Sequence, residues 1–177
     1  MLALLTLVAI DPSLLRVTDI NGVTVDAAPS DAIVVVFLTP GCPVANYFHP
    51  TLRRLNDDWS KRNVTLVAVH ATHTVTAEQA RTHREEYDVA GTVVVDSQQT
   101  LAHALSAKVT PEAFVLTPDG RVHYRGRIDD TYIGFGQRRQ VVSDPTLKNA
   151  VDAVLSGQSV KPSKTDAVGC RIRFAKS

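Results

Sequence analysis

A cysteine that works as a nucleophile must reach its thiolate form and be reached by its target, and its surroundings decide both. The chain holds two cysteines, Cys42 and Cys170. Cys42 lies within "FLTPGCPVANYFHP", after the run "IVVV" and before a segment with helical spacing. That pattern puts the thiol where a buried strand gives way to a helix. Free N–H groups and the positive end of the helix dipole stabilise a thiolate there. Thr39, three residues earlier, is placed to donate its hydroxyl to the sulfur. Inert cysteines favour apolar interiors, so the expectation is a nucleophile at least partly open to solvent. His70 and His73 form an HxxH pair and raise a metal reading. One cysteine with one or two histidines leaves a soft-metal site short of ligands. His49, His83, His103 and His123 read as surface or helix-face residues.

The elements around these residues follow from periodicity. "LLRVTDINGVTVD" alternates on either side of Asn21-Gly22, the signal of a hairpin with a type I′ turn. "DAIVVVF" is a continuous β-branched run, expected of a strand covered on both faces. Phe48, Leu52, Leu55 and Trp59 recur at helical spacing, with Pro50 kinking or restarting that helix. "NVTLVAVH" and "GTVVVD" are two further strands. Thr76-Ala77-Glu78-Gln79 is a capping box opening a helix to about Tyr87, and "QTLAHALSA" is a short helix. "EAFVLT" and "VHYRGRI" form a hairpin about Pro118-Asp119-Gly120. Asp144 and Pro145 are the N-cap and first residue of a last helix that stops at Gly157.

A chain of 177 residues fits one domain with a real core. Its net charge of +1, with no basic block, argues against nucleic acid as a partner. Two cysteines make neither a disulfide scaffold nor a zinc ribbon. The start, "MLALLTLVAI", reads either as a leader remnant within residues 1–13 or as a packing segment. It is too short to span a bilayer. Residues 14–157 form the domain, and 158–177 are a tail carrying Cys170.

The pairing of Cys42 at a strand-to-helix turn with Thr110-Pro111, before the first strand of the late hairpin, resembles the thioredoxin superfamily. That likeness implies a cis proline facing the cysteine, with Thr110 and Pro111 binding a partner's extended backbone. "GTVVVD" and "TAEQARTHREEY" look like the β/α insertion of the redoxin branch, which includes the AhpC/TSA and TlpA-like proteins. The fold class is therefore α/β and thioredoxin-like, a central mixed sheet flanked by helices. "TPGCPVANYF", "TPEAFVLTPDG", "YRGRIDD" and the late "GC" are similar to little-characterised bacterial redoxin-domain proteins. The likeness has departures. Ala45 stands where a C-x-x-C dithiol has its second cysteine, Asn46 where a copper-delivering C-x-x-x-C would, and Val35 where the peroxiredoxin P-x-x-x-T-x-x-C has its proline.

On that fold the strand "VHYRGRI" returns to the cysteine end. Arg125 and Arg127, two apart, would share a face there and favour a thiolate or polarise a peroxide oxygen. "RGRIDD" also reads as a local salt-bridged turn. "DTYIGFGQRR" supplies a lid or a partner surface. An oxidised Cys42 needs a second thiol. The last helix carries the chain roughly 16 Å away, and the stretch from Gly157 to Cys170 extends up to about 40 Å, so the tail can return. Gly169 leaves room for a close approach. Cys170 as a bystander, or as a cysteine serving another chain, is the competing reading.

The resulting function is a thiol-dependent oxidoreductase acting on a disulfide or a peroxide, with no cofactor. Its catalytic residues would be Cys42, Cys170, Thr39 and Arg127, and its substrate-binding residues Thr110, Pro111 and Arg125. The alternative is a non-enzymatic module binding a partner protein or a copper ion. The localisation leans extracytoplasmic, in a bacterium.

Overall fold

The computed structural model describes residues 9–176. The leader reading for residues 1–8 falls outside them. Ala9 bridges to Arg121, and the Ile10 N–H donates to the Gly120 carbonyl with Ile10 buried. Ile10 packs in the same core layer as Leu15 and Val17.

The central strand β3, Ala32–Leu38, is buried at every position, the outcome its β-branched run dictates. It pairs in parallel with β4 (Val64–His70), which pairs in parallel with β5 (Thr92–Val95). On its other side it pairs antiparallel with β7 (Glu112–Leu116), and β7 with β8 (Val122–Gly126). The five-stranded order is β5-β4-β3-β7-β8. Alternation sends Val34, Val36 and Leu38 into one core layer and Ile33, Val35 and Phe37 into the other. The first layer is closed by α2 (His49–Trp59), α3 (Ala77–Tyr87) and α5 (Thr146–Leu155), through Leu52, Trp59, Ala80, Leu147 and Val151. The second is closed by α4 (Thr100–Ala104), the hairpin β1–β2 (Arg16–Thr18 and Thr24–Asp26) and, from the tail, Ile172. Each such side chain contributes roughly 1.5–3 kcal/mol on burial.

Local signals account for the boundaries. A short α1, Pro43–Tyr47, ends at Phe48, and α2 restarts with Pro50 in its first turn. Both capping-box bonds of α3 form: the Gln79 N–H donates to the Thr76 hydroxyl at 3.2 Å, and the Thr76 N–H to the Gln79 side chain at 2.9 Å. Two expectations need correction. The β1–β2 connection is not a type I′ turn, since Asn21 lies outside the left-handed region. Instead the Asp19 carboxylate accepts from the N–H groups of Asn21 and Val23 and holds a longer loop. Helix α5 starts at Thr146 with Pro145 as its cap. Asp144 is drawn off to Arg127 and to the Thr146 hydroxyl.

The tail is built into the sheet edges. Ser163 and Thr165 hydrogen-bond the backbone of Arg125 beside β8. After a separate antiparallel pair, β9 (Tyr132–Gly134) with β10 (Gln137–Arg138), β11 (Cys170–Arg171) pairs antiparallel with β6 (Val109–Thr110). Among the described residues, no helix is long and apolar enough to cross a membrane.

Candidate functional site

Cys42 is the N-cap of α1, with its backbone N–H donating to the Thr39 carbonyl. Its Sγ accepts from the Ala45 N–H at 3.4 Å and donates to the Thr110 carbonyl at 2.9 Å. The Thr110–Pro111 bond is cis, so the proline turn and the cysteine turn meet at the sulfur. The helix-start position agrees with the sequence expectation, but the accessibility does not: Cys42 is 0% exposed. Nor does Thr39 donate its hydroxyl to the sulfur among the bonds of the described residues. It faces a neighbouring cleft.

Cys42 belongs to the first core layer, and Cys170 of the tail packs against that layer. Cys170 lies opposite Thr110 in the β6–β11 register, and the Thr110 carbonyl accepts from Cys42 Sγ, so the two cysteines flank the same residue. Both cysteines are free thiols. Burial, and then the neighbouring Cys42 sulfur, raise the Cys170 thiol well above its ordinary range. A charge on one sulfur opposes a charge on the other. Gly169 makes the approach possible, because a Cβ there would fall on the Thr110 carbonyl. Ile172 is buried, the Gln99 side chain donates to the Arg173 carbonyl and accepts from the Ala175 N–H, and His73 Nδ1 meets the same carbonyl at 2.9 Å.

The arginines do not converge on the sulfurs. Arg125 pairs with Glu112 at 2.6 Å and stacks over the Phe114 ring. Arg127 pairs with Asp144 at 2.8 Å and donates to the Thr146 hydroxyl at the start of α5. They point to opposite core layers because β8 ends at Gly126, whose φ of 145° breaks the strand alternation. Arg125 still bears on the site indirectly: Glu112 also accepts from the Lys108 N–H, so the pair braces the turn that carries Thr110 and Pro111.

His70 and His73 likewise diverge, with His73 exposed on the tail side. In place of an HxxH pair there is a buried cluster of His49, His70 and His83, and burial corrects the expectation that His49 and His83 are surface or helix-face residues. The Asn46 side chain donates to the Pro40 carbonyl at 2.8 Å, which leaves its oxygen to accept from His83 Nε2 at 2.9 Å. His83 Nδ1 then accepts from His70 Nε2 at 3.4 Å. Burial is the first cause of lowering all three, His49 and His83 to about 4 and His70 to about 3. All three are therefore neutral at pH 7. Sequence spacing gave a usable hint, since His83 sits on α3 with Ala80, three residues apart and both inward. Among the described residues no group of three or more potential ligands is arranged to hold a metal ion.

The AhpC/TSA family model matches residues 9–125. The chain belongs to the AhpC/TSA family. No curated protein matches it. It is similar to a hypothetical protein from Sinorhizobium meliloti 1021, with 25% identity over 100% of this chain and 97% of that one, at a TM-score of 0.81. A second similar structure is an uncharacterized conserved protein from Geobacillus kaustophilus, with 25% identity, 100% and 95% coverage and a TM-score of 0.79. A secreted Mycobacterium tuberculosis disulfide oxidoreductase, homologous to E. coli DsbE, shares the fold at 15% identity, 80% and 94% coverage and a TM-score of 0.53. The thioredoxin-like fold and the redoxin branch expected from the sequence are thus found.

Proposed function

We propose that this redoxin is a thiol-dependent oxidoreductase whose working pair is Cys42 and Cys170. The observation that carries the reading is that both cysteines flank Thr110 beside the cis-Pro turn, Cys42 through a bond to its carbonyl and Cys170 through the returning tail. A Cys42 thiolate attacks the electrophile. With a peroxide, the O–O bond breaks, hydroxide leaves and Cys42 becomes a sulfenic acid. The Cys170 thiol then condenses with it, releasing water and forming the Cys42–Cys170 disulfide. With a disulfide, Cys42 forms a mixed disulfide and Cys170 attacks the Cys42 sulfur, expelling the partner's thiol. Ala45 N–H supports negative charge on Cys42 in both routes. The closed surroundings of Cys42 favour the smaller electrophile, peroxide, at that sulfur. Arg127 belongs to the α5 scaffold in this reading, and Arg125 to the support of the proline turn. A disulfide-cycling pair suits an oxidising compartment, and we place the protein outside the cytoplasm.

The test is thiol counting joined to turnover. After hydrogen peroxide or a model disulfide, the denatured chain should hold no free thiol, and a reductant should restore two. Turnover with either electrophile should vanish in Cys42→Ser. Oxidised protein that keeps two free thiols, or no turnover in the intact chain, sinks the reading and leaves a binding module.

A further inference from the structure

Beside the two sulfurs lies a cleft of about 780 Å³, within the range that takes a small organic ligand. Cys170 and the Thr39–Gly41 loop line it, but Cys42 does not. The helix α3 contributes Glu78, Thr82 and Glu86, spaced four apart and so on one face. The tail contributes Arg171 and Arg173. These two guanidinium groups and two carboxylates enter no ion pair among the described residues. The cleft therefore offers free charge of both signs beside a half-buried thiol.

The other approach to the sulfurs is filled. An extended peptide adding a strand at Val109–Thr110 would need the edge that β11 already occupies. The tail is not a loose cover there, since Ile172 is buried and Gln99 and His73 hold its backbone.

From this we infer that the cleft is the docking site for a low-molecular-weight thiol of amino-acid or short-peptide type, carrying both carboxylate and ammonium groups, which reduces the Cys42–Cys170 disulfide by attack at Cys170. The inference rests on the dithiol reading above and adds its electron donor. The docked thiolate attacks Cys170 Sγ, the Cys42–Cys170 bond breaks, and its electron pair leaves on Cys42, where the Ala45 N–H receives it. A second molecule of the same thiol, as thiolate, attacks the donor sulfur of the mixed disulfide and releases Cys170. Two thiols become one disulfide, two electrons enter the protein, and both cysteines recover their protons from the two donor molecules. The raised thiol of Cys170 fits this polarity, because the sulfur that ionises less readily is the poorer leaving group.

The probes are glutathione, which bears carboxylates and an ammonium, and 2-mercaptoethanol, which bears neither. The oxidised full-length chain is mixed with each, and rates are compared per thiolate. Glutathione should react about tenfold faster or more, and the ratio should fall toward one at high salt and in Arg171→Gln/Arg173→Gln. Equal rates per thiolate, or a ratio indifferent to both salt and the arginines, overturn the inference. In reduced Cys42→Ser, glutathione disulfide should place one adduct on Cys170, located by peptide mass, and faster than 2-hydroxyethyl disulfide does. An adduct that forms no faster also overturns it. The two readings fail separately. Selective modification of Cys170 in Cys42→Ser, with no internal disulfide in the intact chain, removes the dithiol cycle and keeps the cleft as a thiol-docking site. An internal disulfide reduced without preference removes the cleft's role and keeps the cycle.

Discussion

Cys42 and Cys170 flank the same residue, Thr110, yet they sit in opposite surroundings. Cys42 is 0% exposed, at a strand-to-helix turn of the central sheet, with a backbone N–H aimed at its sulfur. Cys170 is half-buried on a two-residue strand of the tail and lines an open cleft. One sulfur has the electrostatics for attack and the other has the access. On the proposed dithiol reading, the difference teaches that this fold need not place both properties on one cysteine, provided a second chain segment is packed tightly enough to hold its thiol nearby. Glycine at 169 and the cis-Pro turn are what bring the two environments together.

The comparison breaks most visibly at the sulfurs themselves. Cys42→Ser should lower turnover by about three orders of magnitude or more. Cys170→Ser should instead give one rapid turnover and then arrest, with Cys42 held as a sulfenic acid or mixed disulfide in the mass spectrum. Equal steady-state loss without a burst in the second variant would erase the division of roles.

Acid should act next, through the histidines behind Cys42. Their folded values near 3 and 4 lie below the ordinary 6.5, so the unfolded chain binds protons there that the folded chain does not. Their contribution is complete above about pH 6.5 and is lost as pH falls through that window, by several kcal/mol at pH 4. Urea melts across pH 7 to 4 should show this decline, and His49→Phe should flatten it. An unchanged slope would mean that the cluster protonates without cost.

Packing of the tail comes third. Gly169→Val puts side-chain atoms on the Thr110 carbonyl, which should unseat β11 at a cost of roughly 1–3 kcal/mol. The sealed cysteine should then open, with alkylation of Cys42 by a bulky reagent rising about tenfold while most of the core stays folded. Smaller effects are expected at the brace and at a surface pair. Arg125→Gln leaves the Glu112 carboxylate, 7% exposed, without its cation and should cost about 1–2 kcal/mol. By contrast, Arg53→Gln, facing an Asp88 that is 76% exposed, should cost under about 0.5 kcal/mol. Chemical denaturation of both variants separates a brace from a surface pair.

Much of the site was legible because it rests on short-range rules. The buried run before Cys42, the proline restart at Pro50, the capping box at Thr76 and the turn at Pro118-Asp119-Gly120 are all written within a few residues, where backbone sterics and local hydrogen bonds dominate. The return of the tail could be bounded from chain length alone, and Gly169 marked where it comes close. What the sequence by itself determined, then, was the order of the main sheet strands and helices, the helix start at Cys42 and the family; the short strands of the tail and of residues 132–138 were not among them. Only the tertiary structure decided what surrounds each group. It buried Cys42 and packed Cys170 against its core layer, turned Arg125 and Arg127 to opposite layers at Gly126, and buried His49 and His83. Those outcomes depend on which distant segments pack over a residue, and burial of that kind is a sum over contacts far apart in the chain that no local pattern of types and spacing encodes.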